Sequence, residues 1–504
     1  MFAGGAVVLR TESRAPTDRG ARRDLIWTTG LVILAAVLRV PTLAEQSFWL
    51  DEAYTERLVR MSFGGMLHAI PITESTPPLY YMLAWWWTHV FGFSEFGIRS
   101  LSALAGILTV PAVYATALRL ADRRAAVIAG ILVALSPMLI WYSQEARAYA
   151  LATLLGTMSL LCLVSFLDTG GRGWLVGWVV SAALGLASHY FVAFVVAPEL
   201  VWLLWRRRRD RRVVVAGGVV LAVAAALLPL ALAQRGTGHV DYISQGSLVT
   251  RVVQIPKQLL TGYASPSQLI TSALAALLAG LGAFVVLIRY RSRLAGRAAI
   301  PLSVGLACVV IPIGLALVGI DFVDTRNLLP ALPPLLVVVA IGFAALTDRG
   351  AVIMTASMGL VFITVVALID TNSHYQRDNW RGATEALGPD RVLRAIVVEG
   401  GAAGIPLRPY LPNLRTLVHS AAVTELDVVG IPARVTGGGT GKPPLPHGRI
   451  DVPVGFRLAH AAYSDTYTAL RYTAARPVSV TPATLDLVRL GGGTPAALLQ
   501  QPRP

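Results

Sequence analysis

Acidic residues are scarce in this 504-residue chain, with 28 Asp and Glu against 43 Lys and Arg. Charged residues of either sign make up only 14%, hydrophobic ones 55%, and the mean hydropathy is +0.62. A soluble protein of this length needs far more polar surface, so the chain reads as integral to a membrane. Cysteine is nearly missing. Cys162 and Cys308 each sit inside an apolar run, which leaves no disulfide or zinc signature and points to two small packing residues. Lysine occurs only at Lys257 and Lys442. The net charge of +15 would suit nucleic acid, but the arginines fall in short clusters between apolar runs: Arg206 to Arg209 with Arg211 and Arg212, then Arg289, Arg291, Arg293 and Arg297. Such spacing fits cytoplasmic loops rather than a basic stripe, and no nucleic-acid partner is expected.

What the chain does contain is long apolar runs, at about 25–43, 98–119, 125–142, 149–167, 173–189, 190–205, 213–233, 267–288, 299–320, 328–346 and 350–369. Each is near the length a helix needs to cross hydrocarbon. The basic first 23 residues before the first run read as the cytoplasmic flank of an uncleaved signal-anchor. Crossings counted from a cytoplasmic N-terminus place Arg119 to Arg124, the Arg206 and Arg289 clusters and Asp348-Arg349 on the cytoplasmic side without adjustment. Thr76 to Phe91, with Trp85-Trp86-Trp87, is apolar but short; as a crossing it would invert every later loop, so it is expected to lie along the outer interface, which favours tryptophan. The expected architecture is an all-α polytopic membrane protein with about 11 spans. A cytoplasmic tail of 1–24 leads to a membrane domain of 25–369, and 370–504 forms a small α/β domain outside a bacterial plasma membrane.

That final segment is rich in Pro, Gly and polar residues. Asp378 to Leu387 reads as a capped helix start and Val392 to Val398 as a buried strand, with loops around 436–448 and 491–504. Thr436-Gly437-Gly438-Gly439-Thr440-Gly441-Lys442 fails as a phosphate loop, because Thr436 stands where Gly is required and Pro443 where Ser or Thr is.

On the expected outer side four polar constellations gather: Asp51-Glu52 with Glu74 and Thr76-Pro77-Pro78-Leu79-Tyr80-Tyr81; Trp141 to Tyr149; Ser188-His189-Tyr190-Phe191; and Asp321 to Asn327. Polar groups at a membrane boundary are costly unless solvated or paired, so each is a candidate site. Each also has a structural reading. Asp51 suits an N-cap, Glu145 and Arg147 an interfacial ion pair, His189 a hydrogen-bonded bundle position, and Arg326 a headgroup anchor. Glu199, deep in the sixth run, reads as a buried structural partner.

At these residues the chain resembles the GT-C superfamily of integral membrane glycosyltransferases, specifically the family 39 protein-mannosyltransferase-like group and its aminoarabinose-transferase relatives. The resemblance spans roughly residues 25 to 345. It rests on Trp49-Leu50-Asp51-Glu52-Ala53-Tyr54, Thr76 to Tyr81, Ser136-Pro137 with Tyr142 to Tyr149, His189-Tyr190-Phe191, and Arg326-Asn327-Leu328-Leu329-Pro330-Ala331-Leu332-Pro333, in that order. Two positions depart from the family pattern: Thr76 replaces its usual His, and Asn327 the aromatic after the arginine. The resemblance implies transfer of a sugar from a polyprenyl-phosphate donor to an acceptor hydroxyl, with inversion, at the outer face. Asp51 would be the general base, with Glu52 beside it; Arg326, then Arg147, would hold the donor phosphate. Glu145, Gln144, Tyr54, Tyr81 and Tyr149 would position the acceptor. His189 with Glu145 would be the ligands of any divalent cation, Mg or Mn. Partners would be the lipid-linked donor, the bilayer, and a protein, lipid or cell-wall glycan acceptor. The arginine-, alanine- and glycine-rich composition suits a high-GC actinobacterium, where mannose or arabinose donors fit. Competing readings are a glycolipid transporter or flippase and a lipid-linked oligosaccharide ligase or polymerase. The first expects internal repeats and midplane charges, yet no repeat is evident and only Glu199 lies deep. The second uses Arg and His of a large outer loop, and residues 234–266 offer only Arg235, His239 and Arg251.

Overall fold

The computed structural model describes residues 18–502 other than 264, 290–294, 390, 400–403, 412, 433, 436–438, 441–449, 489 and 491–494. Its membrane part is helical. After α1 (Asp18–Val37) come three short helices, α2 (Leu50–Val59), α3 (Phe63–Thr73) and α4 (Leu79–Phe91). The bundle continues with α5 (Glu95–Leu120), α6 (Arg123–Leu135), α7 (Pro137–Ser143), α8 (Tyr149–Thr169), α9 (Arg172–Ser188), α10 (Ala193–Arg207) and α11 (Arg211–Arg235). Two helices, α12 (Tyr242–Gln245) and α13 (Leu248–Thr261), fill the next connection. The bundle closes with α14 (Gln268–Arg289), α15 (Ala295–Leu317), α16 (Leu332–Ala344) and α17 (Asp348–Thr371).

Each run expected to cross coincides with helix over most of its length, although the first leaves the helix after Val37 and the third is broken at Ser136. Among the described residues seven helices are long and apolar enough to span a membrane, or eight if the bent pair α6–α7 counts as one. The others fall short for local reasons. α1 opens on Asp18, Arg19, Arg22, Arg23 and Asp24. α9 has 17 residues and α10 has 15, because extended His189 and a 3-10 turn over Tyr190–Val192 interrupt them. The spans beginning at Thr325, Tyr149 and Glu95 bury 83%, 72% and 61% of their most apolar stretch and form the centre, whereas α11 and α14 bury only 22%. Leu221, Leu277 and Phe284 on those outer helices are exposed, which suits hydrocarbon.

The α6–α7 break bends the chain by 57°. Pro137 lacks an N–H and disfavours helical geometry at Ser136, which adopts φ −57° and ψ 118°. The carbonyls thus orphaned are taken up by Arg39, a fully buried guanidinium that donates to Val133 O at 3.2 Å, Ala134 O at 2.9 Å and Ser143 Oγ at 3.2 Å. A cation at a helix C-terminus also complements its dipole.

The basic loops meet at one end of the bundle. Arg123 pairs with Asp24 at 2.6 Å, Arg124 with Asp348 at 2.9 Å, and Arg297 donates to Arg119 O at 3.3 Å. The opposite end carries α2 to α4, as expected for interfacial helices. α4 buries Tyr80, Tyr81 and Ala84 and exposes Trp86, Val90 and Phe91.

The C-terminal part is α/β. α18 (Trp380–Ala386) starts at Asn379, whose side chain accepts from Gly382 N at 2.9 Å. A six-stranded sheet follows, built from β1 (Arg394–Glu399), β2 (Leu414–Thr416), β3 (Ala421–Gly430), β6 (Phe456–Tyr463), β7 (Thr468–Val480) and β8 (Pro495–Gln500), in the order β2-β8-β1-β3-β7-β6. Among the described residues β1 and β3 pair in parallel and the other neighbours of this sheet antiparallel. Single turns α19 (Gly404–Leu407) and α20 (Pro482–Leu485) complete it. The loop expected over 491–504 is corrected at 495–500, where β8 fills the gap between β1 and β2. Its Pro-Ala-Ala-Leu-Leu-Gln lacks β-branched residues, so pairing on both edges, not propensity, makes it a strand. In the glycine-rich stretch, β5 (Gly439–Thr440) pairs with β4 (Arg434–Val435); Thr436 to Gly438 and Gly441-Lys442 lie outside the described residues.

This domain docks on the loop after α1. Ser47 Oγ donates to Asp378 O at 2.6 Å and accepts from Trp380 N at 3.0 Å; Phe48 N donates to Tyr410 Oη at 2.7 Å, and Tyr410 in turn donates to Glu95 at 2.7 Å.

Candidate active site

α2 places Asp51 and Glu52 side by side in sequence and on different faces, since each helical residue turns by about 100°. Glu52 is fully buried and bonded on both oxygens. Arg99 Nε donates to Oε1 at 2.7 Å and Nη2 to Oε2 at 2.5 Å, and Ala146 N adds a bond of 2.9 Å. The other Arg99 N–H groups hold the carbonyls of Leu43, Gln46 and Ser47 at 2.7–3.0 Å. Burial raises the Glu52 carboxyl, but the guanidinium outweighs it and keeps the group below its usual range. Glu52 also accepts from Trp49 N at 3.4 Å, the position that caps α2. Asp51, one residue inside the helix, is therefore not the cap. Its carboxylate is free for another partner.

That partner is Arg326, whose Nη1 donates to Asp51 Oδ2 at 3.0 Å across 275 residues. Arg326 opens a 3-10 turn over Thr325–Ala331 that Asp324 caps. Arg326 N donates to Asp324 Oδ1 at 3.2 Å and to Tyr263 Oη at 2.8 Å, and the Tyr263 hydroxyl donates to the same Asp324 oxygen. Arg326 Nη2 donates to Tyr242 Oη on α12, and Nε lies 3.2 Å from Asp324 Oδ2. The Asp51 and Arg326 side chains are 24% and 17% exposed, against 0% and 1% for Glu52 and Arg99. The pocket is open to a ligand and the brace beside it is not.

Arg147 closes a second side. Its Nη1 donates to Glu74 Oε2 at 2.8 Å and reaches Asp51 O at 3.4 Å. Tyr81 Oη donates to that same Glu74 oxygen at 2.5 Å and bonds Thr76 Oγ1 at 3.1 Å. Tyr54 is half-buried close enough to Glu74 and Asp51 for burial, then their charges, to raise its hydroxyl. Tyr149 packs edge-on against Tyr142 at 4.9 Å and lies 5.3 Å from the His189 ring.

Other expected site residues are occupied by the chain itself. Gln144 Nε2 donates to Thr42 Oγ1 at 2.6 Å and Arg39 O at 3.2 Å. Glu145 pairs with Arg377 at 3.4 Å, beneath the docked tail. Burial pushes its carboxyl up to about 7, with Arg377 pulling it back and Glu52 and Asp51 adding to the rise. His189 Nδ1 accepts from Phe191 N at 3.2 Å. Among the described residues no three His, Cys, Asp or Glu side chains gather as metal ligands. His189 and Glu145, the pair expected to hold any cation, are each engaged within the chain, by Phe191 N and Arg377. Glu199 accepts from Ser159 Oγ at 3.1 Å and Trp178 Nε1 at 2.9 Å, a buried structural anchor.

Sequence reasoning gave no role to Arg39, Arg99, Tyr242, Tyr263 or Arg377. A lone arginine at the edge of an apolar run, the rule already applied to Glu199, would have flagged the first two. Nothing local marks Tyr242 or Arg377.

The bundle can be set beside known structures. ArnT from Cupriavidus metallidurans bound to undecaprenyl phosphate superposes with a TM-score of 0.51 and 14% identity, covering 88% of this chain and 98% of that one. Its apo state gives 0.50 and 14%, over 77% and 85%. The fold is that of the GT-C glycosyltransferases. The GT-C oligosaccharyltransferase AglB from Archaeoglobus fulgidus, in complex with an inhibitory peptide and a dolichol-phosphate, gives 0.50 and 12% over 73% of this chain and 58% of its own. Residues 75–232 match the family model described as dolichyl-phosphate-mannose-protein mannosyltransferase. That stretch holds Arg147 and His189 but stops short of Asp51 and Arg326. No curated protein matches significantly by sequence.

Proposed function

We propose that the chain is an inverting glycosyltransferase that moves a pentose or hexose from a polyprenyl-phosphate donor to an acceptor hydroxyl at the outer membrane face. One observation carries the reading: a carboxylate and an arginine far apart in sequence meet at 3.0 Å, half-open, on the bundle end that bears the soluble domain. The prenyl chain stays in hydrocarbon and its sugar phosphate reaches this rim. The Asp51 carboxylate takes the acceptor hydroxyl proton as that oxygen bonds the anomeric carbon. The bond from that carbon to the phosphate oxygen breaks, and polyprenyl phosphate leaves as an anion on Arg326, with Arg147 behind it. A single displacement inverts the anomeric centre. Neighbours of the same fold that hold undecaprenyl phosphate or dolichol-phosphate support a lipid-phosphate donor. Basic loops at the far end support an extracytoplasmic site.

The test is a screen of purified protein against lipid-linked sugars for released polyprenyl phosphate. Release by wild type, and release slower by about 10²-fold or more in Asp51→Asn, are expected; full turnover in that variant would refute the base. A flippase would move the lipid and leave its headgroup intact. A reporter fused after residue 504 should lie outside the cell.

A further inference from the structure

The resting pocket bonds the proposed base to the proposed phosphate-binding cation. Every nitrogen of the Arg326 guanidinium has a neighbour: Nη1 faces Asp51, Nη2 faces Tyr242, and Nε lies beside Asp324. Each Nη carries a second N–H, so a phosphate can reach the guanidinium, but it does so beside these neighbours and pushes aside the one it repels. Asp324 is fixed, since it caps the turn that carries Arg326 and receives the Tyr263 hydroxyl. Tyr242 is neutral and does not repel an anion. Asp51 is the anionic neighbour whose carboxylate is held through Arg326 itself. A phosphate on Nη1 would sit against that carboxylate, and like charges repel strongly at such a distance in a half-buried site.

We propose that Asp51 and the donor phosphate compete for Arg326, so that arrival of the lipid phosphate releases Asp51 to act as base. The proposal rests on the glycosyl-transfer reading above and adds an order to it. Without donor, the carboxylate is engaged and an acceptor hydroxyl finds no free base; once the phosphate occupies Nη1, the Asp51 carboxylate loses its partner and is free to take a proton. Donor binds first, and the base is exposed only when a leaving group is in place.

The experiment is equilibrium binding of undecaprenyl phosphate, without sugar, to the full-length protein in nanodiscs. Asp51→Asn and Asp51→Ser remove the competing charge and should bind about tenfold tighter than wild type or more. Asp51→Glu keeps the charge and should bind within about threefold of wild type. Misfolding cannot produce a gain, so tightening by either neutral variant supports the competition, and no tightening by both overturns it. Arg326→Gln reports separately. If it binds as well as wild type, Arg326 is not the phosphate site and the catalytic reading fails with it. If it loses binding while neither neutral variant tightens, the competition alone fails.

Discussion

Asp51 and Glu52 are neighbours in sequence with opposite environments. Glu52 is sealed in a brace with Arg99, every oxygen bonded and no solvent at either partner. Asp51 shares a half-open pocket with Arg326 and holds it through one bond. A closed, fully bonded ion pair fixes backbone: Arg99 ties the loop after α1 to α5 and so sets where α2 begins. An open pair with unsatisfied capacity can exchange partners, which is what chemistry on a charged substrate requires.

The comparison breaks most readily at the brace. Arg99→Ala leaves Glu52 buried without its cation and should cost about 3–5 kcal/mol, read as a lower melting temperature in detergent with or without lipid. An unchanged melt would mean that Glu52 is not structural. Asp51→Asn should do the reverse, lowering turnover by about 10²–10⁴-fold while the melt stays near wild type. Arg326→Ala should weaken donor use by about 2 kcal/mol, visible in kcat/KM for the lipid donor. The smallest effect is at Glu145, and it depends on pH. Its carboxyl is raised above the ordinary 4.5 to about 7 by burial, so folding favours the protonated form. That stability is complete below pH 4.5 and is lost as pH rises through about 7. Glu145→Gln keeps a neutral side chain, so its melting temperature should gain on wild type across that interval; a pH-independent difference would contradict the assigned burial.

Much of the scaffold was legible from composition. Apolar runs gave the helices, arginine clusters gave the end of the bundle they share, and tryptophan marked α4 as a surface helix. The break at Ser136-Pro137 was visible as a dipeptide, though not its repair by Arg39 from the turn after α1. The site was legible only in part. Motif reading singled out Asp51, Arg147 and Arg326, which the fold brings together, but also set Glu52 beside the base and Gln144 at the acceptor, because a polar residue at a boundary looks alike whether it meets a ligand or the chain. Arg377 reaches Glu145 from beyond the last span, and Tyr242 reaches Arg326 from a four-residue helix, contacts that no local pattern encodes.

The chain by itself determined that it would be a helical membrane bundle with a separate α/β domain, because hydrophobic length and charge placement act locally along the polymer. Tertiary structure alone decided which acid would be sealed and which left open. One helical step of rotation turns Glu52 onto Arg99 and Asp51 toward Arg326, and only folding brings either arginine to its acid.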